Sequence, residues 1–215
     1  MKEKRLRMLG LFGVVSLISY SMMVFLSPLA YPGYDWMTMA VSLLSAEGSP
    51  SRELANSLNA FFAPAGLVSI TAVWIKAGEN KGMAFKGGIT SFLLMEWACA
   101  VGYALFPWNS MKPSSSFQNV MHLFVTMAVV VLSLLSLVLI AMGGKKAGLP
   151  SLGVWAIVAL IAMMAGPVGT FLLPPSVFGL FERFSIFSAV VFNAVLGMYL
   201  FLGKLEVNDT RQNDS

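Results

Sequence analysis

The stretch FQNVMHLFVTMAVVVLSLLSLVLIAM, residues 117–142, contains no Asp, Glu, Lys or Arg. At ~1.5 Å per residue a helix of this length reaches ~39 Å, more than the ~30 Å hydrocarbon core of a bilayer. It has no charged face to turn to water, so lipid is its natural solvent. Five other stretches have the ~20 mostly apolar residues a crossing needs. With this one they predict helices over about 6–30, 54–75, 84–107, 117–142, 150–173 and 177–203. The expected fold is all-α: a polytopic membrane helical bundle of six transmembrane helices in one domain over 1–215, with a polar cytoplasmic tail from 204.

The breaks between these runs have chemical causes. Ser49-Pro50 reads as an N-cap followed by proline at the first helical position. Gly143-Gly144-Lys145-Lys146 supplies glycine and positive charge at a helix end, and Pro174-Pro175 stops the fifth helix. Pro64 and Gly166-Pro167 lie inside helices and predict kinks. The basic start Lys2-Glu3-Lys4-Arg5 resembles a signal peptide. The apolar run is long for one, however, and Ser27-Pro28-Leu29-Ala30 is a poor cleavage site, so a retained first helix is expected.

Composition agrees. Of the residues 57% are hydrophobic and 11% charged, against ~25% charged in a soluble domain. The net charge of +4 has no basic face or aromatic-basic interleaving behind it, so no nucleic acid is expected. With the N-terminus inside, eleven of the 14 basic residues fall on the inner side. They are Lys2, Lys4, Arg5, Arg7, Lys76, Lys81, Lys86, Lys145, Lys146, Lys204 and Arg211. Arg52, Lys112 and Arg183 fall outside. The bias places both termini in the cytoplasm of a multi-pass cell-membrane protein. The sequon Asn208-Asp209-Thr210 then lies on the wrong side for glycosylation.

One cysteine, Cys99, and one histidine, His122, rule out an intrachain disulfide, Cys/His zinc spacing and bis-histidine haem ligation. No metal or cofactor is expected. No self-sufficient catalytic motif is present, so function must be sought in polar residues placed where lipid surrounds the chain.

Between the first two helices, Asp35, Thr38, Ser42 and Ser45 fall at helical spacing among apolar residues. This predicts a short amphipathic helix at the outer interface, either a plain anchor or a lid with its polar stripe over a pocket. Glu96 stands ~16 Å below the outer end of its helix, near the midplane. An ionised carboxylate there costs roughly 3 kcal/mol or more, so it should be protonated or paired. It reads either as a proton-transfer group or as an interhelical hydrogen bond. His122 opens the fourth helix on a stripe with Asn119, Thr126 and Ser133, as an acid/base group or as a packed imidazole. Glu182 shares its stripe with Ser185, Ala189 and Asn193. Arg183 points ~100° away, toward lipid phosphates or inward to a carboxylate, or the two form a plain salt bridge at the helix start. Asn59, Tyr20, Ser16 and Ser27 read mainly as packing groups.

Asp35, Ser42, Asn59, His122 and Glu182 all map to the outer third of the membrane, with Glu96 and Asn193 deeper. This pattern predicts a polar pocket open outward and closed to the cytoplasm.

Two stretches carry a resemblance: Tyr34-Asp35-Trp36 through Ser42-Leu43-Leu44-Ser45-Ala46-Glu47-Gly48, and Gly179-Leu180-Phe181-Glu182-Arg183-Phe184-Ser185. With His122 at a helix start, the chain resembles domain-of-unknown-function family 998, uncharacterised prokaryotic six-helix membrane proteins. The resemblance covers nearly the whole chain and implies a helical membrane bundle. It points to the serine stripe, His122 and the Glu182-Arg183 pair, and implies no reaction. The fit departs at Phe192-Asn193, where the family leads one to expect a tryptophan.

Three functions follow as expectations. The first is binding of membrane lipid or a small amphiphilic ligand in the outward pocket, with Asp35, Ser42, Ser45, Asn59, Arg183 and Asn193 as contacts. It extends to an outer-leaflet enzyme if His122, Glu96 and Glu182 act as acid and base. The second is a proton-coupled small-molecule transporter with Glu96 as proton carrier. The third is a structural or assembly protein. Oligomeric state is left open.

Overall fold

The structure, a computed structural model, describes residues 2–77 and 82–206. Lys81, the sequon Asn208-Asp209-Thr210, Arg211 and the tail from 207 onward lie outside the described residues. The described residues form eight α-helices: α1 Lys2–Leu9, α2 Phe12–Leu26, α3 Arg52–Leu58, α4 Phe62–Ala77, α5 Met83–Leu105, α6 Phe117–Gly144, α7 Pro150–Leu172 and α8 Phe178–Phe201. No strand occurs among the described residues, only an isolated bridge between Glu47 and Asn109. Among the described residues six helical spans are long and apolar enough to cross a membrane. This is a multi-pass membrane protein.

The spans pack in chain order, α2 on α4, α4 on α5, α5 on α6, α6 on α7 and α7 on α8. Helix α8 returns to α2 and closes the ring, and it also reaches α4. Burial follows from this: along an 18-residue apolar stretch 56% of the residues in the α8 span are buried against 22% in α6, so α8 is the central element and α6 faces lipid on most of its circumference. The core runs through Ile70, Phe92, Leu137, Phe192 and Leu196. Lipid tails are as apolar as these side chains, so close packing and interhelical hydrogen bonds must hold the bundle.

Hydroxyl groups supply many of those bonds. Ser16 and Ser19 of α2 donate to the carbonyls of Phe62 and Leu58, at 2.8 and 2.6 Å. Ser185 and Ser188 of α8 donate to Met163 and Ala159 of α7, at 2.5 and 2.6 Å. In both hairpins serines three apart on one helix meet carbonyls four apart on its antiparallel neighbour. Ser136 of α6 similarly bonds the Gly88 carbonyl of α5 at 2.8 Å.

The helix ends depart from expectation in instructive ways. The first span breaks at Gly10-Leu11, where α1 and α2 cross α8. A Cβ on Gly10 would strike the Gly197 carbonyl, so the two backbones touch. The second span divides at 59–61 into α3 and α4. Pro64 has no N–H for the Ala60 carbonyl, and the chain tightens so that the Phe62 N–H bonds Asn59 instead. Ser49-Pro50 does not cap α3. The helix starts at Arg52 with no side-chain cap. The hydroxyls of Ser49 and Ser51 are instead drawn to the Leu44 carbonyl. By contrast α7 passes through Pro167 without a break. Helix α6 ends on Gly144 as expected.

The segment over Asp35–Ser45 is not one amphipathic helix. It is a turn around Asp35–Met39 followed by a single 3-10 turn, Val41–Leu44. The Asp35 carboxylate accepts the Met37 N–H and the Thr38 hydroxyl, both at 2.9 Å. These local bonds compete with helix formation. Ala40 is extended, with ψ at 148°, so no continuous polar stripe forms.

On one face of the bundle Arg7 pairs with Glu206 and Lys76 with Glu3. We call this the basic face, and the opposite one, built from residues 31–51 and 106–116, the loop face.

Candidate functional site

The Glu182-Arg183 pair begins the story on the loop face. Both side chains engage the same loop. Glu182 accepts the Val41 N–H at 2.8 Å. Arg183 turns inward, not toward lipid, and is only 8% exposed. Its Nη1 donates to the carbonyls of Trp36, Met39 and Gly179, at 2.7, 3.2 and 2.6 Å. Its Nη2 donates to the Tyr34 hydroxyl at 2.7 Å. The planar fork suits this task, because several donors are held in one geometry. Arg183 makes no ion pair with a carboxylate among the described residues. Carbonyl dipoles and a phenol surround its charge instead.

Tyr34 completes the clasp. Its hydroxyl donates to the Ala40 carbonyl at 3.0 Å while accepting from Arg183, and the guanidinium lies 5.8 Å from its ring centroid. Burial pushes the Tyr34 phenol above its ordinary value, against the pull of the Arg183 charge. Residues 34–41 are thus pinned on the start of α8 by backbone groups, not by side-chain chemistry that a ligand could share. Asp35 is exposed and bonded within its own turn.

A second network joins the two loops of this face. Glu47 exchanges backbone hydrogen bonds with Trp108 and Ser110. Its carboxylate accepts Asn109 Nδ2 at 2.5 Å and Gln118 Nε2 at 3.2 Å. Asn119, fully buried, accepts the Asn109 N–H and donates to the carbonyls of Asn109 and Pro113. His122 sits one helical step below. Its Nδ1 meets the Phe106 carbonyl at 2.9 Å, which makes Nδ1 the protonated nitrogen. The imidazole lies between the rings of Tyr103 and Trp108, centroids 4.9 and 5.6 Å away. The Tyr103 hydroxyl donates to Thr126 at 3.1 Å, and Thr126 returns to the His122 carbonyl.

The third network lies at mid-depth. Glu96 of α5 is 5% exposed and accepts Asn193 Nδ2 of α8 at 2.7 Å. The same nitrogen approaches the Gly66 carbonyl of α4 at 3.3 Å. Nine residues separate Glu96 from Leu105, the loop-face end of α5, a depth of ~14 Å.

Among the described residues no hydrogen bond joins His122, Glu96 and Glu182. Each belongs to its own network, so the geometry does not assemble them into one acid/base centre. Ser42 and Ser45 are partly exposed. Asn59 ends α3, and its Oδ1 is buried without a partner among the described residues.

Among the described residues two cavities border α8, and neither is lined by any of the predicted site residues. One, of about 200 Å³, lies between α7 and α8 against Trp155, Val158, Phe184 and Phe187. The other, of about 600 Å³, is a shallow groove between α2 and α8 against Leu17, Met22, Phe25 and Leu26. Phe187 and Val191 line both and form a ridge between them. Sequence reading missed this ridge, since apolar residues on a membrane helix carry no contrast. It also passed over Tyr34 and Asn119 as functional residues. Tyr34 next to Asp35 and Asn119 in the first turn of α6 were the available signals.

The family model described as "Protein of unknown function (DUF998)" matches residues 14–199, and the chain belongs to that family. No curated protein and no solved structure matches the chain.

Proposed function

We propose that this member of the family binds a lipid-like amphiphile from the bilayer, with its hydrocarbon chains laid along α8. The carrying observation is the pair of apolar grooves on either side of the Phe187–Val191 ridge. Both open sideways on a helix that lipid surrounds, so acyl chains are the occupants of matching chemistry. An amphiphile with two chains would straddle the ridge with one chain in each groove.

The groove between α2 and α8 rises to Phe25 and Leu26, just below the loop face, and a headgroup would lie at that end. The basic residues Arg7, Lys76, Lys86, Lys145 and Lys146 gather on the opposite face, which supports cytoplasmic termini and a groove serving the outer leaflet. The reading is of binding, not turnover, because His122, Glu96 and Glu182 are occupied in separate networks. The ligand site is therefore apolar, in place of the polar pocket expected from the sequence.

The test is native mass spectrometry of protein extracted in lipid nanodiscs. Wild type should retain a two-chain lipid through detergent exchange. Val191→Trp, which fills the ridge and crowds both grooves, should lose it without a lower melting temperature. Equal lipid retention by wild type and Val191→Trp would sink the proposal.

A further inference from the structure

Four helices present polar groups to one point inside the bundle. Glu96 comes from α5, Asn193 from α8, Gly66 from α4 and Ser16 from α2. Gly66 is what lets them meet. A Cβ there would lie 3.2 Å from Glu96 Oε2, 3.2 Å from Ser16 Oγ and 3.3 Å from Asn193 Nδ2. Asn193 is 1% exposed, and its Oδ1 is buried without a hydrogen-bond partner among the described residues. On α6, Ser133 stands at the level of Glu96 by the antiparallel register that Tyr103 and Thr126 set. Its hydroxyl is likewise buried and unpartnered among the described residues.

A carboxylate at this depth needs a cation or several donors. Glu96 has one amide donor, and no Lys, Arg or His among the described residues pairs with it. The titratable groups nearest in register are Cys99, one turn along α5, and Tyr20, one turn above Ser16 on α2, while Lys76, Lys86, His122, Glu182 and Arg183 lie toward the ends of their helices. At this depth α4 and α8 present Gly66 and Asn193. The surroundings therefore hold acceptors and an amide, which is the company a neutral acid requires.

We propose that Glu96 and Asn193 form an intramembrane proton-binding site. Glu96 carries the proton, and Asn193 responds to its presence. In the neutral acid, the O–H donates to an amide oxygen, and Asn193 Oδ1 is the unused acceptor that a turn of the amide would present. On release the O–H bond breaks, its electron pair stays on the carboxylate, and the proton leaves to water. The amide N–H then faces the carboxylate, as its 2.7 Å contact shows it can. One amide thus serves both states and ties the charge of α5 to the setting of α8 against α4. Cys99 and Tyr103 follow Glu96 at spacings of three and seven on one face of α5, which leads toward the loop face. The site is separate from the apolar grooves, since none of its residues lines them.

Infrared difference spectroscopy of the full chain in lipid nanodiscs tests this directly. Wild type should show the carbonyl band of a buried protonated carboxylic acid, lost as pH is raised. Glu96→Gln should lack the band at every pH, while the exposed-carboxylate variant Glu53→Gln keeps it. Asn193→Leu should move the midpoint by at least tenfold in proton concentration. A wild type without a titrating acid band overturns the proposal, and so does a band that persists in Glu96→Gln. An unmoved midpoint in Asn193→Leu overturns the role of the amide. The wild-type measurement stands even where a variant does not fold.

Discussion

The Ser185 hydroxyl rests on the Met163 carbonyl at 2.5 Å, and Met163 is the residue that Pro167 deprives of its helical donor. The same oxygen accepts the Gly166 N–H at 3.1 Å. One side chain on α8 therefore supplies the donor that the proline takes from Met163 and also accepts the neighbouring N–H, which supports the passage of α7 through Pro167. Ser185→Ala should cost about 1–2 kcal/mol, the penalty for leaving a buried carbonyl unmade where no water reaches. Pro167→Ala restores the helical donor, so the double variant should recover most of the loss. Steric trapping or denaturant titration in mixed micelles reads the cycle. Additive losses would remove the pairing.

The Arg183 clasp makes a sharper prediction. Three carbonyls and a phenol share one planar guanidinium, and an ammonium cannot reach them together. Arg183→Lys should release residues 34–41 nearly as fully as Arg183→Met, with a loss of about 3 kcal/mol in either case. Hydrogen exchange should rise at Met39 and Val41 before it rises anywhere in α8. Protection retained in Arg183→Lys would show that charge, not the fork, holds the loop.

The six spans were legible in the sequence because hydropathy is a property of each segment alone. So was the helix end at Gly143-Gly144, whereas Pro64 was read as a kink and the structure divides the span at 59–61. The partner of Met163 was not, because it depends on how α7 and α8 are rotated against each other, and no local pattern encodes that. The direction of Arg183 was equally hidden. A long cationic side chain can reach lipid phosphates or fold inward, and the carbonyls of Trp36 and Met39 that decide the matter carry no side-chain signature. The stripe of Asp35, Thr38, Ser42 and Ser45 misled for a related reason. Helical spacing was present, but the Asp35 carboxylate closes a local turn before a helix can form. Glu96 with Asn193 was half legible: depth identified both, and only the fold joined them.

Tyr34 gives the clasp a pH dependence. Burial raises its phenol above the ordinary value of 10.0, so folding favours the protonated form. The stabilisation it contributes is complete below 10.0 and is lost as pH rises through the folded-state value. Protection of the Val41 amide should therefore fall in alkaline solution in wild type. In Tyr34→Phe it should be lower at neutral pH and flat across the same range. An alkaline fall of equal size in Tyr34→Phe would assign the effect to another group.

His122 is bonded as a structural imidazole, and its removal should be felt in the loop that it holds. His122→Ala frees the Phe106 carbonyl and unpacks Tyr103 and Trp108. Exchange should quicken at the Glu47 and Ser110 amides, which pair with Trp108 and Glu47 across the loop face. A loss of about 1–3 kcal/mol is expected, with lipid retention unchanged. Loss of bound lipid with intact protection at Glu47 would return His122 to the ligand site.

A close approach of two backbones makes the last prediction. Gly10 and Gly197 face each other where α1 and α2 cross α8, and a Cβ on either would meet the other's carbonyl group. A Cβ on Gly197 would also lie 2.7 Å from Ser69 Oγ. Backbone cannot yield as a flexible side chain can, so Gly197→Ala must push the helices apart by most of a methyl radius. Overpacking of this kind costs about 1–3 kcal/mol. The displacement should also loosen the ion pair of Arg7 with Glu206, because both residues lie close to the same crossing on the basic face. Gly10→Ala should behave alike, and the double variant should be less than additive, since either methyl alone already opens the contact. A melting series of the two single variants and the double variant checks this. Full additivity would mean that the two backbones do not share one contact.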